Sequence, residues 1–296
     1  MSTLKEPKFN PVPKEKAPPA GNTRVTGKEQ FYTPEATAEH IFVLLKEMGW
    51  LTDELTLLEP AGGTGNIIKA ARNFGITNVV SYDIEPRNPE VQLGNFLEQK
   101  IAQTGMLTIT NPPFGRNNSL AIPFFNHAAK FSDYIVFIVP RSWRKWSVQN
   151  KLDRDFHLVR DEDLAINYVN ELGEDAHAKD RLRTCIQFWK REATPRNIVA
   201  VKDMGIFAKC SPTEADASFT VFGYGCGTIK TKFKPVKNTT QMFVKFLHPD
   251  ALTAFSKADF SRFFMNTAYT EALALPEINY VLNEHIFGDP MLIEKN

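Results

Sequence analysis

An α/β fold, a mostly parallel sheet with helices on both faces, is what this sequence predicts, and three observations carry the prediction. Short apolar runs such as "LTLLEP" and "YIVFIVP" alternate with segments of helical period. A glycine-rich turn joins the first of these runs to a helix, and the pattern changes in the last third of the chain. Continuous apolar strands separated by helices imply a sheet buried on both sides, whose ligands sit beyond the carboxyl ends of its strands.

With 296 residues, 43% of them hydrophobic, the chain can form one large domain and a small one. A net charge of +1 gives no strong global field, so any contact with nucleic acid must come from local patches. Cys185, Cys210 and Cys226 are widely spaced and have no neighbouring histidine, so neither disulfides nor a metal site are expected, and a reducing, cytoplasmic compartment fits. No run reaches the roughly 18 apolar residues of a membrane span, and the first residues lack the apolar core of a signal peptide. No membrane partner is expected.

Residues 1–28 are rich in Pro and Lys and poor in large apolar side chains, which predicts a flexible arm. In "FYTPEATAEHIFVLLKEMGW", Thr33 stands as an N-cap with Pro34 at the first helical position, and Ile41, Leu44, Leu45 and Met48 recur at helical spacing up to Gly49. A strand follows at 55–60, a helix at 66–75 closed by Gly75, and a strand at 78–86. Further strands are expected at 106–113, 134–140 and 183–191, with "LAIPFFNHAAKF" as a helix among them. This organisation assigns 29–195 to the sheet-bearing domain. Residues 196–296 form a small α+β region, in which short β-like runs between glycine, proline and serine clusters give way to helix after Pro249.

"LEPAGGTGN" places Gly62, Gly63 and Gly65 at a strand-to-helix turn, where the backbone can adopt positive φ and approach a nucleotide-like ligand at a helix N-terminus. The spacing is shorter than a dinucleotide fingerprint and lacks the Gly-Lys-Ser/Thr of a phosphate loop. About twenty residues on, "SYDIEP" presents Asp83 where an acid accepts hydrogen bonds from ribose hydroxyls. A plain tight turn remains the competing reading of the glycines alone.

Taken in order, "FYTP", "LEPAGGTG", "SYDIEP", "GNF" and "NPPFG" resemble the S-adenosylmethionine-dependent amino-methyltransferases, and the chain looks like an N6-adenine DNA methyltransferase of the Asn-Pro-Pro-Phe class over roughly residues 31–190. Gly63 and Asn66 depart from the side chains often found there. The resemblance implies a Rossmann-like methyltransferase fold with S-adenosyl-L-methionine as cofactor. Glu59, Pro60 and the backbone of Ala61 to Gly65 would meet its methionine portion, and Asp83 with Ile84 beside it the ribose. Asn95 and Phe96 would lie at the adenine ring, while Tyr32, Thr33 and Pro34 close over the cofactor. Parts of the last hundred residues resemble phage-encoded methyltransferase-like proteins, which would place the chain in a host cytoplasm.

For such chemistry Asn111-Pro112-Pro113-Phe114 is well suited. The exocyclic nitrogen of adenine is a poor nucleophile because its lone pair is delocalised into the ring. A carboxamide oxygen from Asn111 and the Pro112 carbonyl could each accept one N–H and draw the lone pair out, by positioning and preorganisation alone. Consecutive prolines fix φ and hold that carbonyl, Pro113 offers no competing N–H, and Phe114 gives a flat face for an unstacked base. The competing reading is a strand-ending Pro-Pro turn with Phe114 in the core. Cytosine C5 methylation needs a thiolate, and no cysteine is near.

Nucleic acid, DNA before RNA, is the expected partner. Arg116 in "GRNNS" stands in a loop over the base site. Arg141, Arg144 and Lys145 interleave with tryptophans, and Lys230, Lys232 and Lys234 alternate along an expected strand. An amphipathic helix and a solvated edge strand are the respective alternatives. Among functions, methylation of RNA adenine, an RNA guanine amino group or a protein glutamine amide, and a catalytically silent nucleic-acid-binding protein of the same fold, stay open beside DNA adenine methylation.

Overall fold

The computed structural model describes residues 32–166, 168 and 182–295. The expected flexible arm lies outside these residues. Seven strands form the main sheet: β1 (Thr56–Glu59), β2 (Asn78–Asp83), β3 (Gln92–Leu93), β4 (Met106–Thr110), β5 (Ser132–Pro140), β6 (Phe156–Leu164) and β7 (Thr184–Arg191). Their order is β3-β2-β1-β4-β5-β7-β6, with β1 to β5 parallel and β7 running antiparallel to both its neighbours. This is the Rossmann-like order with an antiparallel strand inserted beside β5.

Helices α1 (Glu35–Glu47) and α2 (Asn66–Asn73) cover one face, and α3 (Ala121–Ala128) with the short α4 (Trp146–Gln149) covers the other. Successive strand residues serve opposite faces, as the pleat requires. Leu57 joins the cluster of Ile41, Leu45 and Ala71, whereas Leu58 joins that of Phe125, Phe137 and Trp143. Burial on both faces explains why β1, β4 and the part of β5 from Ile135 onward carry few polar side chains and no alternation of apolar with polar.

Several expected boundaries shift. Pro34, rather than Thr33, is the N-cap of α1, because the Thr33 carbonyl is engaged by the Asn66 side chain at 2.8 Å. Past Asp83 and past Thr110 the chain leaves the sheet and turns. Strand β6, "FHLVRDEDL", has no expected counterpart. It is an edge strand, and its charged residues pair laterally instead of filling a core.

Beyond Arg191 the chain forms β8 (Ile198–Val201), then β9 (Phe207–Lys209), β10 (Ala217–Thr220), β11 (Ile229–Lys230) and β12 (Gln241–Phe246). The last four make an antiparallel sheet, β11-β10-β12-β9, packed against α5 (Ala251–Lys257), α6 (Ser261–Phe264) and α7 (Leu275–Phe287) around Phe219, Phe255 and Leu282. A final strand, β13 (Leu292–Lys295), pairs with β8. The lysine strand expected over 228–234 is strand only at β11, so Lys232 and Lys234 sit in irregular, exposed backbone. Among the described residues no helix is long and apolar enough to cross a membrane.

Candidate active site

Three turns leave the carboxyl ends of neighbouring strands β2, β1 and β4, and they carry most of the residues singled out by sequence. After β1 the turn is shaped by close approach. A Cβ on Gly62 would stand 2.3 Å from Ser81 Oγ, and one on Gly63, whose φ is +46°, would stand 2.6 Å from the Tyr32 ring. The Gly63 N–H donates to Asp83 Oδ2 at 2.9 Å, and Asp83 Oδ1 accepts the Glu85 N–H at 2.8 Å. Asp83 therefore ties the glycine turn to the end of β2, with its carboxylate at the lip where α2 begins. Ile84 next to it is 60% exposed, an apolar surface beside an acid.

Beneath the turn Glu59 is fully buried. Its Oε1 accepts the Ala61 N–H at 3.2 Å, and Oε2 has no protein partner among the described residues. Burial drives its pKa up to about 8, against the lowering influence of the Ala61 N–H, while Asp83 adds to the rise. A buried carboxyl with an unsatisfied oxygen, two positive-φ glycines, a surface acid and an exposed isoleucine fit a ligand bearing an ammonium group, a ribose and an apolar ring. Asn95 caps a 3-10 turn through Leu97 N–H at 3.2 Å, and Phe96 points into the core against Phe124 and His127.

Strand β4 runs parallel beside β1 with Thr108 opposite Leu58, so Glu59 and Thr110 end neighbouring strands and Asn111 follows at the same edge of the sheet as the glycine turn. Asn111 is half-buried with Oδ1 shielded from solvent, and Pro112 is buried. Phe114 does two things: it packs with the core cluster of Ile109 and Ile138, and it borders a cavity of about 780 Å³. Gly115, at φ +66°, lets the chain fold sharply into the 3-10 turn of Arg116–Asn118, which forms another side of that cavity.

The far wall comes from a segment that sequence reasoning missed, Thr267, Ala268 and Tyr269. The Arg183 N–H donates to the Ala268 carbonyl at 2.7 Å, and Arg183 Nη2 donates to Glu271 Oε1 at 2.8 Å, so the segment is stapled beside β7. Nothing in "NTAYTEA" marks it as a site, because its place depends on a contact across more than eighty residues.

The basic residues divide into two groups. Arg141 is paired with Asp163 at 2.8 Å, Arg144 with Asp161 and Asp163, and Lys145 with both oxygens of the buried Glu277 at 3.0 and 2.8 Å. All three are paired with carboxylates of this chain: the buried Glu277, the partly buried Asp161 and the exposed Asp163, the last two on the unforeseen β6. Arg116 is exposed at the cavity mouth, and Lys230, Lys232 and Lys234 are exposed along a second groove of about 630 Å³. Among the described residues no cluster of His, Cys, Asp or Glu could hold a metal ion.

No family model matches the chain, and no curated protein matches it. Solved structures that resemble it include a candidate RNA methyltransferase of Pyrococcus horikoshii, 19% identical over 55% of this chain and 88% of that one with a TM-score of 0.44. A second is Thermoplasma acidophilum 1320, 18% identical over 56% of this chain and 92% of that one, TM-score 0.43. A third is the 23S rRNA methyltransferase ErmE, 17% identical over 56% of this chain and 71% of that one, TM-score 0.38.

Proposed function

We propose that the chain transfers a methyl group from S-adenosyl-L-methionine to the exocyclic N6 amino group of adenine in DNA. The observation that carries this reading is the pairing of β1, which ends in Glu59 at the root of the glycine turn, with β4, which ends in Thr110 at the root of the Asn-Pro-Pro-Phe turn. It brings a cofactor-shaped lip and an amide together at one edge of the sheet.

The cofactor supplies an electrophilic methyl carbon on a sulfonium. Glu59, with Pro60 and the backbone of Ala61 to Gly65, receives its charged amino-acid end. Asp83 receives the ribose, Ile84 and Asn95 flank the adenine ring, and Tyr32 to Pro34 cover the turn. Asn111 Oδ1 and the Pro112 carbonyl each accept one N–H of the target amine, which aims its lone pair at the methyl carbon. Carbon–nitrogen bond formation leaves the carbon–sulfur pair on sulfur. The surplus proton goes to water, since neither a carboxamide nor a backbone carbonyl is basic. Phe114 stacks on the extruded base, Pro113 stiffens the turn, and Arg116 with Lys230, Lys232 and Lys234 meets phosphates. Lys145 instead borders the cavity, and Arg141 and Arg144 pair with the carboxylates of β6.

Asn111→Ala tests the chemistry. Loss of one preorganised partner lowers transfer by about 100-fold or more, while calorimetric affinity for S-adenosyl-L-methionine stays unchanged. Tritiated methyl incorporation is read on DNA, RNA and protein in parallel. Undiminished transfer by the variant overturns the mechanism, and incorporation into RNA or protein alone reassigns the substrate.

A further inference from the structure

We infer that the turn over residues 222–228, with Tyr224 at its tip, forms with the lysines that follow it a docking surface for nucleic acid beside the catalytic cavity, where Tyr224 stacks on a base. This rests on the reading of nucleic acid as substrate and adds the residue that grips it outside the reaction site. Tyr224 is fully solvent-exposed, and Phe222 two residues before it is 46% exposed. Two exposed aromatic rings on one turn, next to a run of lysines, form a patch rather than a lone surface side chain.

The turn is built to present that ring. Gly223, Gly225 and Gly227 all have positive φ, at +80°, +78° and +88°. The turn is cross-linked by Cys226 N–H to the Gly223 carbonyl at 3.0 Å, Gly227 N–H to the Thr220 carbonyl at 2.8 Å and the Thr228 hydroxyl to the Gly225 carbonyl at 2.7 Å. A ring held on a hydrogen-bonded turn loses little entropy on stacking. The position is also set. Gly223 N–H donates to the Glu271 carbonyl at 2.9 Å and Phe222 bridges to Ala272, just past Tyr269 in the cavity wall.

Charge identifies the partner. Residues 217–249 contain five lysines and no acid in a chain whose net charge is only +1. Lys230, Lys232, Lys234 and Lys237 line one groove with Phe233 between them. Protection of a sheet edge accounts for Lys230 on β11, but Lys232, Lys234 and Lys237 lie past the strand, where there is no edge to protect. Lysines tracking a backbone beside an aromatic stacking platform are the makings of a nucleic-acid surface.

The test is equilibrium anisotropy with the full chain, without methyl donor, on single-stranded DNA, duplex DNA and RNA of one sequence, with a poly-glutamate peptide as the acidic control. Tyr224→Ala weakens nucleic-acid affinity roughly 5- to 100-fold, as loss of one stacked base does, and Tyr224→Phe restores it. Lys232→Ala with Lys234→Ala lowers the slope of log K against log salt by about 1.8 on a duplex and about 1.4 on a single strand. Unchanged affinity in Tyr224→Ala, no binding of any nucleic acid by the wild type, or equal binding of the peptide each overturns the inference. Because no methyl transfer is read, the Asn111→Ala outcome stands apart: unchanged affinity in Tyr224→Ala overturns this surface and leaves the mechanism intact, whereas no binding of any nucleic acid by the wild type counts against both.

Discussion

Under the proposed function Glu59 couples folding to cofactor binding through one buried carboxyl. Its carboxyl has an ordinary pKa of 4.5 when unfolded and about 8 when buried under the glycine turn. Between these values the folded chain holds a proton that the unfolded chain has lost, so stability falls as pH rises from about 5 to 8 and levels off above. The whole drop is on the order of a few kcal/mol. Glu59→Gln removes this contribution, so urea unfolding of that variant loses less stability between pH 5 and 8 than wild type does, and the variant is the more stable of the two at pH 8. The same proton reports on the cofactor. An ammonium group brought against Glu59 favours the carboxylate, so binding near pH 7 releases about one proton. Calorimetry in buffers of different ionisation enthalpy measures the release, and Glu59→Gln abolishes it. Binding without proton release means that the ammonium does not reach this carboxyl.

Among elements, what the sequence made legible was what local pattern alone determines. Strands β1 and β4, and β5 from Ile135 onward, are buried on both faces and so are mostly apolar, and the glycine turn and Asn111 to Phe114 follow directly from two of their ends. Strand β6 escapes the same reading because its residues are mostly half-exposed and its carboxylates answer to Arg141 and Arg144, which precede it by about twenty residues. Lys232 and Lys234 alternate like strand residues, yet pairing with β10 ends at Lys230, and alternation without a partner strand is not structure. The loop bearing Tyr269 is the hardest to read, since it owes its position to Arg183 and Glu271. Their ion pair is 23% and 32% exposed, so breaking it costs about 1 kcal/mol or less. Glu271→Ala accordingly leaves unfolding by urea nearly unchanged and frees the cavity wall. Its expected effect is a several-fold rise in KM for nucleic acid with unaltered affinity for the cofactor, and an equal loss in both would assign Glu271 a general structural role instead.

At the scale of the whole molecule, the sheet domain and the C-terminal region meet through specific contacts. Lys145 enters the buried pair with Glu277, and Trp146 stacks on Tyr280 at 5.5 Å and 24°. Asn150 closes both hydrogen bonds of Val199, at 2.7 and 3.1 Å. Lys145 and Tyr269 border the same cavity, so this junction shapes the site as well as joining two cores. Desolvation raises the pKa of Glu277 and opposes its charge, while Lys145 restores it, so removing the lysine alone strands a buried carboxylate. Lys145→Ala is therefore expected to cost about 3–5 kcal/mol, whereas Lys145→Met combined with Glu277→Leu, which removes both charges and keeps the bulk, costs far less. The pattern of unfolding changes too. Wild type is expected to melt in one calorimetric transition, with calorimetric and van't Hoff enthalpies equal, because neither core can release the other without exposing the junction. Lys145→Ala separates the melt into two transitions, one for each core, and the paired apolar variant restores one. Two transitions in the wild type would mean that the halves of the cavity are joined loosely, and closure around a base would then have to supply the order that this junction is argued to provide.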